Sequence, residues 1–182
     1  GRQTTVLFAG EPFPVKHLRA IKAAWPAPRY FNLYGPTETN VCTFAHIPLP
    51  VPEERTVPYP IGWACSHCDP LVLDNDRQEV GPADEGLLYI AGPSVFQGYW
   101  NRPEQTQAAF HDRDGRRWYN TGDVVRLDPQ DGYIYVGRRD RLPASGVHVR
   151  RLRRAVGAVH VRRRPSGCVL RGAEPRAARA VA

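Results

Sequence analysis

The first third of the chain alternates between two hydrophobic rhythms. Thr4-Thr5-Val6-Leu7-Phe8-Ala9 is a near-continuous apolar run closed by Gly10-Glu11-Pro12, which predicts a buried strand ended by a turn. The spacing then lengthens: Val15, Leu18, Ile21 and Trp25 recur every three or four residues, with Lys16, Arg19 and Lys22 off that stripe. This predicts an amphipathic helix from about Pro14 that stops at Pro26 and Pro28. Tyr30-Phe31-Asn32-Leu33 is again strand-like and halts at Gly35-Pro36. A strand, a helix and a second strand predict a parallel pair, because the helix must cross over before the chain can run in the same direction. Ligands in such sheets sit beyond the carboxyl ends of the strands, where Gly10-Glu11 and Tyr34 to Glu38 fall.

Pro48, Pro50, Pro52, Pro58 and Pro60 make residues 48–60 an extended connection. Beyond it the rhythm is of short apolar stretches: Leu71-Val72-Leu73, Leu87 to Ala91, Trp118-Tyr119, Val124 to Leu127 and Tyr133 to Val136. Asp74-Asn75-Asp76, Gly81-Pro82, Asp112 to Gly115 and Asp131-Gly132 punctuate them as turns. Pro103 to Phe110 reads as a short helix with proline in its first turn. The pattern predicts a small antiparallel unit of distorted-barrel type, and no internal repeat is visible. After Asp140 the periodicity ends, and Arg, Ala, Gly, Val and Pro dominate.

Charge sharpens that boundary. The 182 residues carry a net charge of +7, which by itself would suggest a polyanionic partner. Residues 1–141 hold 15 Lys+Arg against 17 Asp+Glu, whereas residues 142–182 hold 10 Arg against Glu174 alone. The basicity therefore belongs to the tail, which also lacks Lys, Asp and every aromatic residue except His148 and His160. The length suffices for one domain with a core, and no apolar run is long enough for a membrane span. With no signal-peptide pattern at its start, the chain is expected to be cytoplasmic. Cys42, Cys65, Cys68 and Cys168 are spaced as reduced thiols rather than as a disulfide framework. Cys65 and Cys68 with His67 would make half a zinc site, but a second ligand pair is missing nearby, and packing is the expected role.

The chemistry-bearing stretch is Tyr30 to Val41. Tyr34 offers a flat face for a purine, Thr37 a hydroxyl that could cap a helical turn, and Glu38 a hard oxygen ligand suited to Mg²⁺. Taken alone, this is also what an ordinary strand-ending turn with incidental polar residues looks like.

Asn32-Leu33-Tyr34-Gly35-Pro36-Thr37-Glu38 resembles a core motif of the adenylate-forming enzymes, in particular the amino-acid adenylation domains of nonribosomal peptide synthesis. Three further blocks follow in that family's order. The first runs from Glu85 through Gly92 to Gly98-Tyr99-Trp100-Asn101-Arg102-Pro103-Glu104-Gln105-Thr106. The others are Trp118-Tyr119-Asn120-Thr121-Gly122-Asp123 and Gly137-Arg138-Arg139-Asp140. The resemblance covers about residues 4–141 and implies an α/β fold, the second half of a large adenylation domain. Residues 1–60 would be its α/β part, residues 61–141 a β-rich, barrel-like subdomain, and residues 142–182 a disordered basic tail.

The resemblance also implies roles. Thr37 would contact the phosphates of ATP and Glu38 its Mg²⁺. Tyr34 and Asn32 would hold the adenine, with the Gly10-Glu11 backbone along its edge. Asp123 would accept the ribose hydroxyls, Arg138 would contact ribose or phosphate, and Tyr135 would pack on the nucleoside, although a core tyrosine on a strand fits Tyr135 equally well. Leu7, Ala9, Leu33, Val41 and Cys42 would line the pocket of the acid substrate, favouring an apolar or small cyclic side chain. Asp140 would be the hinge about which a small C-terminal domain turns. The implied partners are an amino acid or other carboxylic acid and a phosphopantetheinylated carrier protein, with neither nucleic acid nor membrane involved.

The chain departs from the family in several places. Asn120 stands where Arg or Lys is usual, and Leu87 where Glu is common. The Gly-rich phosphate loop and the catalytic lysine of the C-terminal domain are not found, since Lys16 and Lys22 are the only lysines. The chain is accordingly expected to be a fragment with little activity of its own, and residues 142–182 to be the product of a shifted reading frame. Two other readings stay open: a non-catalytic nucleotide-binding or scaffolding remnant, and a nucleic-acid binder acting through the Arg tail.

Overall fold

The computed structural model describes residues 4–142, which form two sheets. The first has the order β1 (Thr5–Phe8), β2 (Arg29–Tyr34), β3 (Thr43–Ile47) and β4 (Trp63–Ala64). β1 and β2 are parallel, with Phe8 level with Asn32, and α1 (Val15–Ala24) is the crossover between them. β3 returns antiparallel to β2, pairing Thr43 with Tyr34 and Ile47 with Tyr30. The parallel pair and its helix fall where the hydrophobic pattern puts them, but β1 is not the buried strand expected: Thr5 and Leu7 are exposed and Val6 and Phe8 only half-buried, because α1 covers one face alone. β3 escaped it, because Thr43-Phe44-Ala45-His46-Ile47 carries two polar residues and adjoins the proline-rich stretch.

α1 packs on one face of this sheet, and Val15, Leu18, Tyr30, Ile47 and Val51 form the core beneath it. Its inner face differs from the predicted stripe. Ile21 and Trp25 are 39% and 47% exposed, while Lys22 is buried. The aliphatic stem of Lys22 continues the Leu18 row, and its Nζ donates to the carbonyls of Ile47 (3.5 Å) and Pro48 (3.4 Å). The same ammonium lies 4.6 Å from the Tyr30 ring centroid, and burial lowers its pKa.

The second sheet comprises β5 (Asp69–Leu73), β6 (Glu85–Ala91), β7 (Phe110–Arg113), β8 (Arg116–Asp128) and β9 (Gly132–Arg138). It is antiparallel throughout, as the turn spacing predicted. The two segments read as separate strands, Trp118-Tyr119 and Val124 to Leu127, are parts of one 13-residue strand, β8. β6 runs along one edge of β8, while β7 and β9 occupy the first and second parts of the other. α2 (Pro103–Ala108) ends short of the predicted Phe110, which instead begins β7.

The two sheets share a core of Cys42, Ile61, Cys68, Val72, Leu88, Ile90, Val125 and Tyr133. Main-chain bonds reinforce it, since Tyr133 donates to the Gly62 carbonyl at 2.7 Å and accepts from Ile61 at 2.9 Å. Leu87 is buried with Leu71, Leu73, Tyr89 and Val124, a setting that suits an apolar side chain. No helix among the described residues is long and apolar enough to cross a membrane. The tail expectations, disorder and a shifted frame, lie outside the described residues.

Candidate functional site

The site is built where β2 ends. The chain leaves Tyr34, loops through Gly35 to Val41 and returns at Cys42, whose N–H donates to the Tyr34 carbonyl at 2.8 Å. A Cβ on Gly35 would lie 1.7 Å from the Asn40 carbonyl oxygen, so the loop closes this tightly only with glycine there. Inside it, Thr39 is fully buried and its N–H bonds the Pro36 carbonyl at 3.0 Å. This single turn replaces the helical cap proposed for Thr37, which sits exposed beside half-buried Glu38.

The side chain of Tyr34 leads to the second sheet. Its hydroxyl donates to Asp123 Oδ2 at 2.6 Å, and its ring lies 6.4 Å from that of Tyr135. Asp123 is aimed by a bulge: Leu87 pairs with Val124 and Tyr89 with Asn120, so Leu88 alone faces Thr121 to Asp123. Thr121 Oγ1 pins that bulge, donating to the Leu88 carbonyl at 2.8 Å and accepting the Asp123 N–H at 3.1 Å. Asn120 stabilises the same turn, its Oδ1 accepting the Gly122 N–H at 2.9 Å. That gives the departure from Arg or Lys a local structural role.

Arg138 enters from β9. Its Nη1 lies 3.6 Å from Asp123 Oδ1 and donates to the Thr121 carbonyl at 3.1 Å, while its Nε reaches Asp140 at 3.5 Å. Burial raises the Asp123 carboxyl above its ordinary value, and the Tyr34 hydrogen bond and the Arg138 charge offset part of that rise. The Tyr34 hydroxyl is pushed up by burial and then by the Asp123 charge, and so stays a donor. An open hollow of about 400 Å³ adjoins this network, lined by Gly122, Arg138, Arg139 and Asp140.

Glu38 lies on a second network. Its carbonyl accepts the Phe96 N–H at 2.8 Å, and its Oε1 accepts from the Tyr99 hydroxyl at 2.8 Å. Tyr99 was absent from the sequence-based site, although it lies inside one of the quoted blocks. The clue available was Gly98 and Thr106 in the same block: Thr106 Oγ1 accepts the Tyr99 N–H at 2.9 Å, and a Cβ on Gly98 would sit 2.6 Å from the Thr106 side chain.

The remaining candidates are dispersed. Gly10 and Glu11 lie just past the end of β1 and are exposed, at the same end of the parallel pair as Tyr34. Asn32 is buried and its Nδ2 donates to the carbonyls of Tyr59 (3.3 Å) and Pro60 (2.8 Å), which leaves Oδ1 outside those bonds. Leu7 and Leu33 are on the sheet face away from α1, where Leu7 pairs with Phe31 and Leu33 with Phe44. Leu7 is 59% exposed there and Ala9 is exposed beyond it. Cys42 does not join them: it is fully buried in the shared core, and burial pushes its thiol up to about 12. Val41, between them, is half-buried in the loop. Cys42, Cys65 and Cys68 are free thiols, two of them buried.

The residues present suit a nucleotide and Mg²⁺ in different degrees. Tyr34, Tyr135, Asp123 and Arg138 bring aromatic faces, a carboxylate and a guanidinium together. No three His, Cys, Asp or Glu side chains among the described residues group as a metal cage. A lone carboxylate such as Glu38 suits Mg²⁺, which keeps water and phosphate oxygens as its other ligands.

The site thus joins the carboxyl end of a mixed sheet to a β unit that supplies a carboxylate and an arginine. Residues 1–100 match the AMP-binding enzyme family, and the chain belongs to that family. It is 44% identical over 135 residues to an L-proline–[L-prolyl-carrier protein] ligase of Pseudomonas fluorescens, covering 74% of this chain and 25% of the relative. A D-alanine–D-alanyl carrier protein ligase of Bacillus velezensis is 33% identical over 175 residues, 90% of this chain and 34% of the relative. That alignment reaches beyond residue 142, further than the motifs do. Among solved structures, the Vibrio cholerae adenylation domain AlmE in complex with glycyl-adenosine-5'-phosphate superimposes with a TM-score of 0.65 at 27% identity. The overlap is 75% of this chain and 26% of that one. The chain spans about a quarter to a third of the length of these relatives.

Proposed function

We infer that this chain carries the nucleotide end of an amino-acid adenylating site, one that activates a small, apolar amino acid for transfer to a carrier-protein thiol. The observation that carries the reading is the Tyr34–Asp123–Arg138 network at the end of the parallel strands. In the reaction, a carboxylate oxygen of the amino acid attacks the α-phosphorus of ATP and pyrophosphate leaves. The phosphopantetheine thiol of the carrier protein then takes the acyl group, and AMP leaves.

The residues divide the work. Tyr34 and Tyr135 flank the base, and Asn32 Oδ1 and the Gly10-Glu11 backbone meet its edge. Asp123, with Oδ2 already accepting from Tyr34, presents its remaining lone pairs to the ribose hydroxyls. Arg138 places positive charge beside ribose and α-phosphate, and Thr37 meets the phosphates at the exposed turn. Glu38 supplies the protein ligand for Mg²⁺, whose chemistry there is to neutralise charge on the phosphates. The open face with Leu7, Ala9 and Leu33, together with Val41, faces the acid, and Cys42 backs the loop from the core. Asp140 follows Arg138 as the hinge. The domain division is residues 1–60 and 61–141, and the reaction belongs to the cytoplasm, where ATP is held.

Support for an apolar substrate comes from the uncharged side chains of Leu7, Ala9, Leu33 and Val41. The relatives whose names specify proline and D-alanine agree with it. Titration of AMP into the purified chain tests the site. Asp123→Ala is expected to weaken binding by about one to two decades, the loss of a charged hydrogen-bond partner. Equal affinities would remove the ribose assignment. ATP–pyrophosphate exchange over an amino-acid panel tests the substrate class, and a preference for aspartate or lysine would overturn it. Exchange by the 182 residues alone is expected to be slow, since their two lysines both lie on α1.

A further inference from the structure

We propose that Tyr99 is a positioning residue for the Glu38 carboxylate and sets the affinity of the site for Mg²⁺-bound ATP, a role that rests on the function proposed above. Tyr99 belongs to the Gly92–Thr106 connection, outside the Tyr34–Asp123–Arg138 network. Two contacts from that connection converge on Glu38. The Phe96 N–H bonds the Glu38 carbonyl at 2.8 Å, and the Tyr99 hydroxyl donates to Glu38 Oε1 at 2.8 Å. Backbone and side chain of Glu38 are therefore both held by a segment about sixty residues away.

Tyr99 is itself fixed. Its N–H is held by Thr106 Oγ1, which in turn donates to the Arg102 carbonyl at 2.8 Å. The Tyr99 ring packs edge-on against Phe96 with centroids 4.8 Å apart, and Phe96 also meets Phe110 and Tyr119 at 5.4 Å. Gly98 permits the approach, because a side chain there would strike Thr106. The hydroxyl is thus presented by a side chain that is 37% exposed but packed on one side against an aromatic cluster and anchored through its own N–H.

The consequence is geometric. A glutamate on a turn samples several rotamers, and a lone carboxylate binds Mg²⁺ weakly unless one oxygen is held toward the phosphates. With Oε1 held by Tyr99, Oε2 would be the oxygen offered to the cation. Removing the hydroxyl frees the carboxylate to rotate while the ring stays packed. The loss falls on the metal-dependent part of binding.

The test measures ATP binding by the full chain across a Mg²⁺ series, and AMP binding in EDTA, for wild type, Tyr99→Phe and Glu38→Gln. Tyr99→Phe is expected to raise the Mg²⁺ concentration giving half-maximal ATP binding about tenfold, with AMP affinity shifting less than twofold. A Mg²⁺ half-point equal to wild type overturns the proposal if Glu38→Gln still shifts it. If Glu38→Gln leaves the half-point unmoved as well, the metal assignment of Glu38 is wrong and the proposal goes with it. Parallel losses of AMP and Mg²⁺–ATP affinity in Tyr99→Phe would indicate a structural role only and also overturn it. A wild-type chain that binds neither nucleotide removes both the site reading and the proposal.

Discussion

The hydroxyl of Tyr34 donates to Asp123 Oδ2 at 2.6 Å across 89 residues of sequence. That bond joins the loop ending the parallel pair to the bulge of the β unit. It also supplies a hydrogen-bond donor to a carboxylate whose side chain is only 7% exposed. Tyr34→Phe leaves the ring in place and removes the donor. It is expected to destabilise the chain by about 1.5–3 kcal/mol, the range for a hydrogen bond to a charged group. Urea denaturation of the two proteins checks the figure, and an unchanged midpoint would count against the bond.

Asp123 predicts a pH effect of definite sign. Its folded pKa is raised above the ordinary 3.8, chiefly by burial. The folded state therefore holds the proton more tightly than the unfolded chain, and the associated stability is lost as pH rises through the window above 3.8. Asp123→Asn cannot ionise and escapes that loss. Its stability relative to wild type should rise between about pH 4 and pH 7, while its nucleotide binding falls. Chemical denaturation at the two pH values measures the difference. A relative stability that falls toward neutral pH would reverse the inferred direction of the shift.

Gly35→Ala places a methyl group 1.7 Å from the Asn40 carbonyl oxygen, and the next nearest atoms are also backbone. The loop has no flexible side chain to move aside, so the β2–β3 connection must open. A loss of about 1–3 kcal/mol or more is expected. Amide exchange at Cys42, whose N–H bonds the Tyr34 carbonyl, should quicken in the same variant.

Thr121→Val keeps the shape of the side chain and deletes the hydroxyl that serves both the Leu88 carbonyl and the Asp123 N–H. Two buried main-chain groups lose a partner, at a cost of about 1–3 kcal/mol. The bulge should then loosen, with faster exchange at the Asp123 amide. Exchange that remains slow would show that the bulge is held by its neighbours without Thr121.

Local chemistry alone made much of this chain legible. Uninterrupted apolar runs, a three-to-four spacing and proline stops specify β1, α1 and β2, because burial on one face demands those periods. The motifs were equally local, and they singled out Tyr34, Glu38, Asp123 and Arg138 as candidates.

Only the tertiary structure decided how those residues meet. Tyr34 reaches Asp123, Tyr99 reaches Glu38, and Thr121 props the bulge that aims Asp123; these pairings arise from β-sheet register and loop closure between segments far apart in sequence. Period cannot encode a register, since a shift of two residues preserves the same alternation of faces. The inner face of α1 was decided in the same way. Lys22 entered the core because the Ile47 and Pro48 carbonyls and the Tyr30 ring were there to receive its ammonium, and Ile21 and Trp25 were left partly exposed. Cys42 likewise went to the core shared by the two sheets rather than to the open face with Leu7 and Leu33, because the tight turn at Gly35 brings its N–H back to the Tyr34 carbonyl.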